Sequence, residues 1–455
     1  MHSKENSCEK FGSKDILKSV QSLAATWETN MNTTDGKFII GLTGSLGSGC
    51  STISKALEKE GFKRVSLSDQ IKNKFKNLHP GKEPTLGSFG EDWRAELQDI
   101  GNRGRKGEFT EDRKEGQDYR NHWIDLALKD IQDDTIVIDG IRNIGEIEFL
   151  RKNYPNFWVV ASYADYETRW SRIKDINAYY NEMAFKRDDL RDSDEDDPEG
   201  QNVQRCVYEA DYVLKNNDKI EPARTIGENL SKKLMPAIYG MKGEKEFRKP
   251  LPAEVFLATA VSQSHASHCL KRKVGALIVD EDNIPLSVGY NDNPIRMEPC
   301  FSLYKGICYK DMVMETKLEK MVPFFCPECG KKHDTIIPPW MCDGKKQDGK
   351  SCRCNFKLRF FPSRNIDLCT AIHAEERAIR SLGGRSASGC TLYVNTFPCF
   401  QCCRYIKDAD IKKVVYIEAY PIKEAVEFLK TNKIEFEPFE GFKPRVFNQV
   451  FKQVE

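Results

Sequence analysis

The sequence predicts two α/β domains in tandem, and three observations carry that expectation. From residue 37 onward, apolar strand-like runs alternate with amphipathic helices, the pattern of a parallel sheet covered on both faces. The stretch MKGEKEFRKPLP (241–252) is polar, punctuated by Gly and Pro, and reads as a linker. Beyond it the order becomes helix–β–β–helix–β–helix–β–helix–β, built around a stretch at 369–403 where His, Glu and Cys crowd together. At 455 residues the chain is too long for one ordinary core.

Composition narrows the class. The chain is 39% hydrophobic and 31% charged, as in soluble globular proteins. Lys and Arg number 70 against 69 Asp and Glu, so no global field favours nucleic acid, although a local basic groove stays open. MHSKENSCEKFGSKDILKSVQSL lacks the apolar run of a secretion signal, and nothing approaches the ~18 apolar residues of a membrane span. Sixteen cysteines in that context point to reduced thiols and metal ligation, hence a cytoplasmic protein.

Residues 1–36 read as an N-terminal extension with one short amphipathic piece at 16–23. KFIIGLTGSLGSGCSTISKAL (37–57) then gives strand, Gly-rich turn and helix. Gly44-x4-Gly49-Cys50-Ser51-Thr52 follows the phosphate-binding loop pattern except at one position. Its glycines let N–H groups close around phosphate at a helix N-terminus, and Ser51 would hold Mg²⁺. Cys50 stands where that pattern has lysine, and a thiol cannot supply the charge; a nearby Lys or Arg, such as Lys55, is a candidate substitute. KRVSLSD and TIVIDGIRNIGEIEFLR continue the alternation, the latter strand ending in Asp139-Gly-Ile-Arg142. DDLRDSDEDDPEG (188–200) reads as a solvated acidic loop rather than a metal site. ADYVLKN closes the sheet of a first domain spanning 37–240.

After the linker at 241–252, AEVFLATAVSQSHAS is a helix; His265, His268 and Cys269 fall at its end, with packing and capping duties. KVGALIVD and IPLSVGYN are adjacent strands, TLYV and KKVVYIEAY later ones. Within 253–455, residues 300–365 form a Cys-rich insertion. Cys326-Pro-Glu-Cys329-Gly has the form of a zinc knuckle. Cys342, Cys352 and Cys354 lie in reach; Cys352 and Cys354 are the favoured second pair of a closed four-cysteine site, with unliganded thiols as the alternative.

The stretch at 369–403 carries the chemistry. His373-Ala-Glu375 and Pro398-Cys399-Phe-Gln-Cys402, separated by a helix and a strand, form the H-x-E…P-C-x-x-C arrangement of zinc nucleobase deaminases. One imidazole and two thiolates make three tetrahedral ligands and leave a fourth position for water. Glu375 is not a ligand and is placed to move protons. The alternative is a structural zinc clip, which the missing fourth ligand disfavours.

On HCLKRKVGALIV, VGYNDNP, AIHAEERAI, TLYVNTFPCFQCC and KKVVYIEAY, the last ~200 residues resemble the deoxycytidylate deaminase family. RAELQDIGNRGR (94–105), with Arg169 and Arg172 at lid-like positions, makes the first domain resemble nucleoside-monophosphate kinases. The fold expected is therefore a P-loop nucleotide-kinase-like parallel sheet followed by a cytidine-deaminase-like α/β/α domain. Over residues 37–455 the chain resembles bacterial phage-defence deoxycytidine-nucleotide deaminases, which deplete dCMP and dCTP and of which some are held inactive by a partner RNA. The resemblance implies Zn on His373, Cys399 and Cys402, proton transfer by Glu375, a sugar contact from Asn291, base recognition by the main chain of Ala374 and pocket closure by Tyr420.

Three functions stay open: deamination of a deoxycytidine nucleotide, deamination of a base in tRNA or single-stranded DNA, and a regulatory protein sensing nucleotide through its first domain. For that domain the readings are active kinase, nucleotide binding without transfer, and a structural role. Subunit association is expected, as a means of linking the two domains.

Overall fold

The computed structural model describes residues 36–84, 93–111, 114, 116–175, 181–193, 198–217, 223–244, 247–335, 341–356, 369–418 and 423–451. Of the sequence expectations, Tyr420 and nearly all of the N-terminal extension lie outside them. The chain divides into two compact units, residues 1–248 with 449–455, and residues 249–448.

The first unit runs β1 (Phe38–Thr43), α1 (Cys50–Lys59), β2 (Lys63–Ser66), α2 (Leu67–Leu78), α3 (Arg94–Arg105), α4 (His122–Leu128), β3 (Thr135–Asp139), α5 (Ile144–Asn153), β4 (Phe157–Tyr163), α6 (Tyr166–Asp175), α7 (Glu182–Ser193), α8 (Val203–Tyr208), β5 (Tyr212–Lys215) and α9 (Ala223–Lys242). Its strands lie in the order β5-β4-β1-β3-β2 and pair in parallel, with Ile40 opposite both Val137 and Trp158. FIIGLT of β1 is buried at every position, as a strand covered on both faces requires. Ile39, Ile136, Ile138 and Val159 join Phe75, Trp123 and Ile147 in one apolar core. The chain leaves β1 for edge strand β2 and returns to place β3 and β4 on either side of it. The loop at 44–49 therefore opens at a topological switch point, where α/β sheets bind ligands.

The expectation of a solvated loop from residue 188 is corrected. Residues 182–193 are the helix α7, in which Asp188 and Asp192 are 7% and 4% exposed. Three arginines from other elements neutralise this helix: Arg94 to Asp188 at 3.5 Å, Arg142 to Asp192 at 2.8 Å, and Arg169 to Asp189 at 2.6 Å. Their guanidinium groups lie far off in sequence, so an acidic run reads as solvated when seen alone.

The second unit runs α10 (Pro252–Ser264), β6 (Gly275–Val279), β7 (Pro285–Tyr290), α11 (Cys300–Leu303), α12 (Tyr309–Glu319), β8 (Phe324–Phe325), β9 (Lys332–His333), α13 (Ala374–Arg380), β10 (Thr391–Thr396), α14 (Phe400–Asp408), β11 (Lys413–Glu418), α15 (Lys423–Thr431) and β12 (Glu435–Pro438). Its sheet order is β12-β11-β10-β6-β7, with β10, β11 and β12 parallel and β6 antiparallel to both neighbours. Alternation assigns the two faces. Ala276, Ile278, Leu392 and Val394 meet Ala374 and Ala378 of α13 and Cys403 and Ile406 of α14. Tyr393 points the other way, its ring 5.0 Å from Phe256 of α10. Opposite Ala276 stands Gly289, whose bare Cα lets the backbone of α13 lie directly on β7. The protein is thus mixed α/β with a parallel sheet, and no helix among the described residues is long and apolar enough to cross a membrane.

Candidate functional site

Two helix starts build the metal centre. His373 is the extended residue before α13 (φ −72°, ψ 155°), and Cys399 holds the same place before α14 (φ −71°, ψ 167°). Cys402 follows within the first turn of α14. Because α13 and α14 cover one face of the sheet, their N-termini converge. His373 Nδ1 lies 3.2 Å from Cys402 Sγ and 3.4 Å from Cys399 Sγ, and the three donor atoms lie within 4.8 Å of one another. A tetrahedron with Zn–N near 2.0 Å and Zn–S near 2.3 Å has an N···S edge of about 3.5 Å, so the residues fit zinc.

Electrostatics agree with that fit. Hydrogen bonding from Cys402, then from His373, holds the Cys399 thiol down to about 4. The hydrogen bond with Cys399 pushes His373 up to about 9, while Cys402 rises well above the usual thiol range, chiefly through its hydrogen bond with Cys399. The donors share protons that a cation would displace, and the N-terminus of α14 favours thiolate at Cys399. Glu375, 4% exposed, stands beside Cys402, and burial raises its carboxyl. A carboxyl so placed accepts and returns a proton more readily near neutral pH than an exposed one.

The insertion forms a second donor set. Gly330, at φ 73°, turns the Cys326–Cys329 knuckle, closed by Gly330 N–H donating to Cys326 O at 2.8 Å. Residues 341–355 form a second arm, with Cys342 N–H donating to Cys354 O at 2.9 Å and Cys352 N–H to Gly344 O. Cys326 lies 3.8 Å from Cys352 and Cys329 lies 3.5 Å from Cys342, sulfur to sulfur, near the ~3.8 Å edge of a four-thiolate zinc site. All four sulfurs fall within 4.8 Å of one another. The favoured pair is thereby corrected: Cys342 takes the place expected of Cys354. Pairing of the arm's two sides brings Cys342 in from the opposite side, and the Cys354 thiol sits against Cys326 and Glu328, outside the set. With four protein donors the site is closed, the structural form. His333, which sequence reading missed, places Nε2 3.3 Å from Cys342 Sγ.

Other expected residues fall as follows. Ala374, fully buried, opens α13. Asn291 Oδ1 accepts from Val274 N–H at 2.7 Å and Nδ2 donates to Arg272 O at 2.9 Å, leaving one N–H and one lone pair. His268 and Cys269 lie beyond the end of α10, and His268 Nδ1 is 2.7 Å from Asp292. Arg377 was missed: it donates to the carbonyls of Asp292 and Asn293 at 3.1 and 3.0 Å with its guanidinium 4.9 Å over the Tyr290 ring. Its place two residues after Glu375 was the available signal.

In the first unit, Gly47 and Gly49 adopt φ of 83° and 103° and turn the loop. Its carbonyls are held from outside: Arg169 donates to Leu46 O at 3.0 Å, Arg172 to Gly47 O at 3.4 Å, and Asn216 and Ser162 to Ser48 O at 2.7 and 2.8 Å. Among the described residues, the N–H groups of Gly47, Gly49, Cys50 and Ser51 have no backbone acceptor. Burial, then Asp139, pushes the Cys50 thiol up to about 12, so it brings no charge of its own. Ser51 is exposed at the start of α1. Thr52, expected at the loop, gives its N–H to Gly49 O at 3.0 Å and turns its methyl towards Gly227 of α9. Lys55 is exposed one turn along.

Residues 252–418 match the family described as cytidine and deoxycytidylate deaminase zinc-binding region. The deoxycytidylate deaminase of Saccharomyces cerevisiae is 25% identical over 214 residues, 47% of this chain and 52% of that one, so the chain spans about half the length of that relative. The deoxycytidylate deaminase of Enterobacteria phage T2 is 28% identical over 183 residues, covering 37% of this chain and 81% of that one. Among solved structures, shikimate kinase from Bacteroides thetaiotaomicron aligns over 44% of this chain and 98% of its own, with 15% identity and a TM-score of 0.26.

Proposed function

We propose that the second unit hydrolytically deaminates the cytosine of a deoxycytidine nucleotide, dCMP or dCTP, to give the deoxyuridine nucleotide and ammonia. The observation that carries this reading is a three-donor zinc set with a buried carboxyl, Glu375, beside it and no fourth protein ligand among the described residues. Zinc on His373, Cys399 and Cys402, when bound, supplies Lewis acidity that brings the ionisation of water towards neutral pH. Glu375 takes one proton from water as it adds to C4 and delivers it to N3 of the ring; it then takes the second from the new C4 hydroxyl and passes it to the amino group, which leaves as ammonia as the C4 carbonyl forms. Ala374 offers its main chain to the base, and Asn291 keeps one N–H and one lone pair for the sugar. Closure by Tyr420 belongs to the same reading.

The four-cysteine zinc set holds the insertion together. The first unit takes a phosphorylated ligand at its loop without phosphoryl transfer, because Cys50 provides no cation there. Resemblance alone supports nucleotide depletion in phage defence and control by an RNA, while subunit association is proposed as the means of linking the two domains.

Ammonia release from zinc-loaded protein, with cytidine, dCMP, dCTP, CMP, CTP and a cytosine-containing oligonucleotide offered separately, tests the proposal. Turnover of dCMP or dCTP, lost in Glu375→Gln with zinc retained, is the expected result. Turnover of the oligonucleotide alone would move the assignment to a polynucleotide deaminase.

A further inference from the structure

Three arginines of the first unit are paired with carboxylates of the acidic helix α7. The contact of Arg169 with Asp189 is a two-pronged fork, Nη1 to Oδ1 at 2.6 Å and Nη2 to Oδ2 at 2.9 Å. The same guanidinium donates to the carbonyl of Leu46 in the glycine-rich loop at 3.0 Å. Arg142, at the carboxyl end of β3, is held by Asp192 and Gln201, and Arg94 of α3 by Asp188. Two features leave hydrogen-bond donors for an anion beside these ion pairs. The loop N–H groups of Gly47, Gly49, Cys50 and Ser51 have no backbone acceptor among the described residues. Arg169 is 7% exposed, yet its Nε has no hydrogen-bond partner.

We propose that Asp189, backed by Asp188 and Asp192, is an internal stand-in for phosphate, and that a phosphorylated ligand enters the loop only by replacing Asp189 on Arg169. Arginine grips carboxylate and phosphate with the same planar fork, so one can exchange for the other without moving the guanidinium. Phe185 of α7 is fully buried between Tyr166 and Trp170 of α6, ring centroids 5.5 Å apart in each case. The helix therefore stays seated while the carboxylate swings away. Apparent affinity is then the intrinsic affinity multiplied by the fraction of molecules in which Arg169 is released. This inference rests on the reading that the first unit takes a phosphorylated ligand, and it assigns the residue that regulates that binding.

Calorimetric titration of the full chain with inorganic pyrophosphate, and separately with Mg·ATP, tests it. Asp189→Asn should tighten binding of the accepted probe at least tenfold, and Asp192→Asn should tighten it less, in the same direction. Arg169→Gln should lose binding. Glu167→Gln, the same charge change at an exposed position of α6, should change nothing. Tighter binding of both probes marks a site for the phosphate group itself; a gain confined to Mg·ATP marks one for a nucleotide. Circular dichroism and the unfolding midpoint report folding, and Asp192→Asn carries the test if Asp189→Asn does not fold. Binding of equal strength in wild type and both aspartate variants overturns the stand-in while leaving the phosphate site intact. No binding of either probe by any variant overturns both.

Discussion

Gly289→Ala adds one carbon where β7 meets the backbone of α13. A Cβ at this position would lie 2.2 Å from the carbonyl oxygen of Ala374 and 2.4 Å from the nitrogen of Ala378, where ordinary contact begins at 3.4 Å. Both atoms are backbone, so no side chain can rotate away, and α13 must lift by roughly 1 Å. Overpacking costs about 1–3 kcal/mol, and an unyielding helix puts this case near 3. At about 2–4 °C per kcal/mol for a unit of this size, the midpoint of the second unit falls by roughly 6–12 °C. His373 and Glu375 ride on the same helix start, and a misplacement of ~1 Å costs on the order of 100-fold in rate. The assay is thermal unfolding, zinc stoichiometry and deamination rate measured on one preparation. Gly383→Ala is the control: its φ of 61° is strained for alanine, but nothing lies within 4 Å. It should cost about 1–2 kcal/mol and leave zinc and rate alone. A Gly289→Ala protein with wild-type midpoint, zinc content and rate would refute the account of how α13 is seated.

Other outcomes are expected from the same geometry. Glu375→Gln should keep its zinc and its fold and lose about 10²- to 10⁴-fold in turnover, read by ammonia release. Cys342→Ser should remove one zinc per chain by metal analysis, whereas Cys354→Ser should keep both, since its sulfur lies outside the donor set. Glu254, fully buried, accepts from Leu251 N–H at 2.7 Å and Phe442 N–H at 2.8 Å. Glu254→Ala removes the acceptor from both donors and should destabilise the second unit by about 3 kcal/mol, seen in denaturant unfolding. A chelator strong enough to strip zinc should abolish turnover, and re-addition of zinc should restore it, with cobalt spectroscopy distinguishing the His-Cys-Cys set from the four-thiolate set.

The sequence by itself determined what lies close along the chain. His373 and Glu375 are two residues apart, Cys399 and Cys402 three, and the strands between them follow from alternation, so the donor types and the mixed α/β class were legible in the sequence. Local spacing also marked the Cys326–Cys329 knuckle and the turn glycines of the loop at 44–49, because a tight backbone needs glycine where φ is positive. Only the tertiary structure decided which distant groups meet. Cys342 replaces Cys354 because cross-strand pairing sets which sulfurs converge. Asn291 is largely committed to the 272–274 segment, and Arg377 reaches the carbonyls that follow β7. The acidic run after residue 187 looked solvated because the arginines that neutralise it come from α3, the end of β3 and α6. Backbone propensity and hydrophobic period act over one turn or one strand. Ion pairing and metal coordination depend on through-space distance, which the packing of helices on each sheet sets.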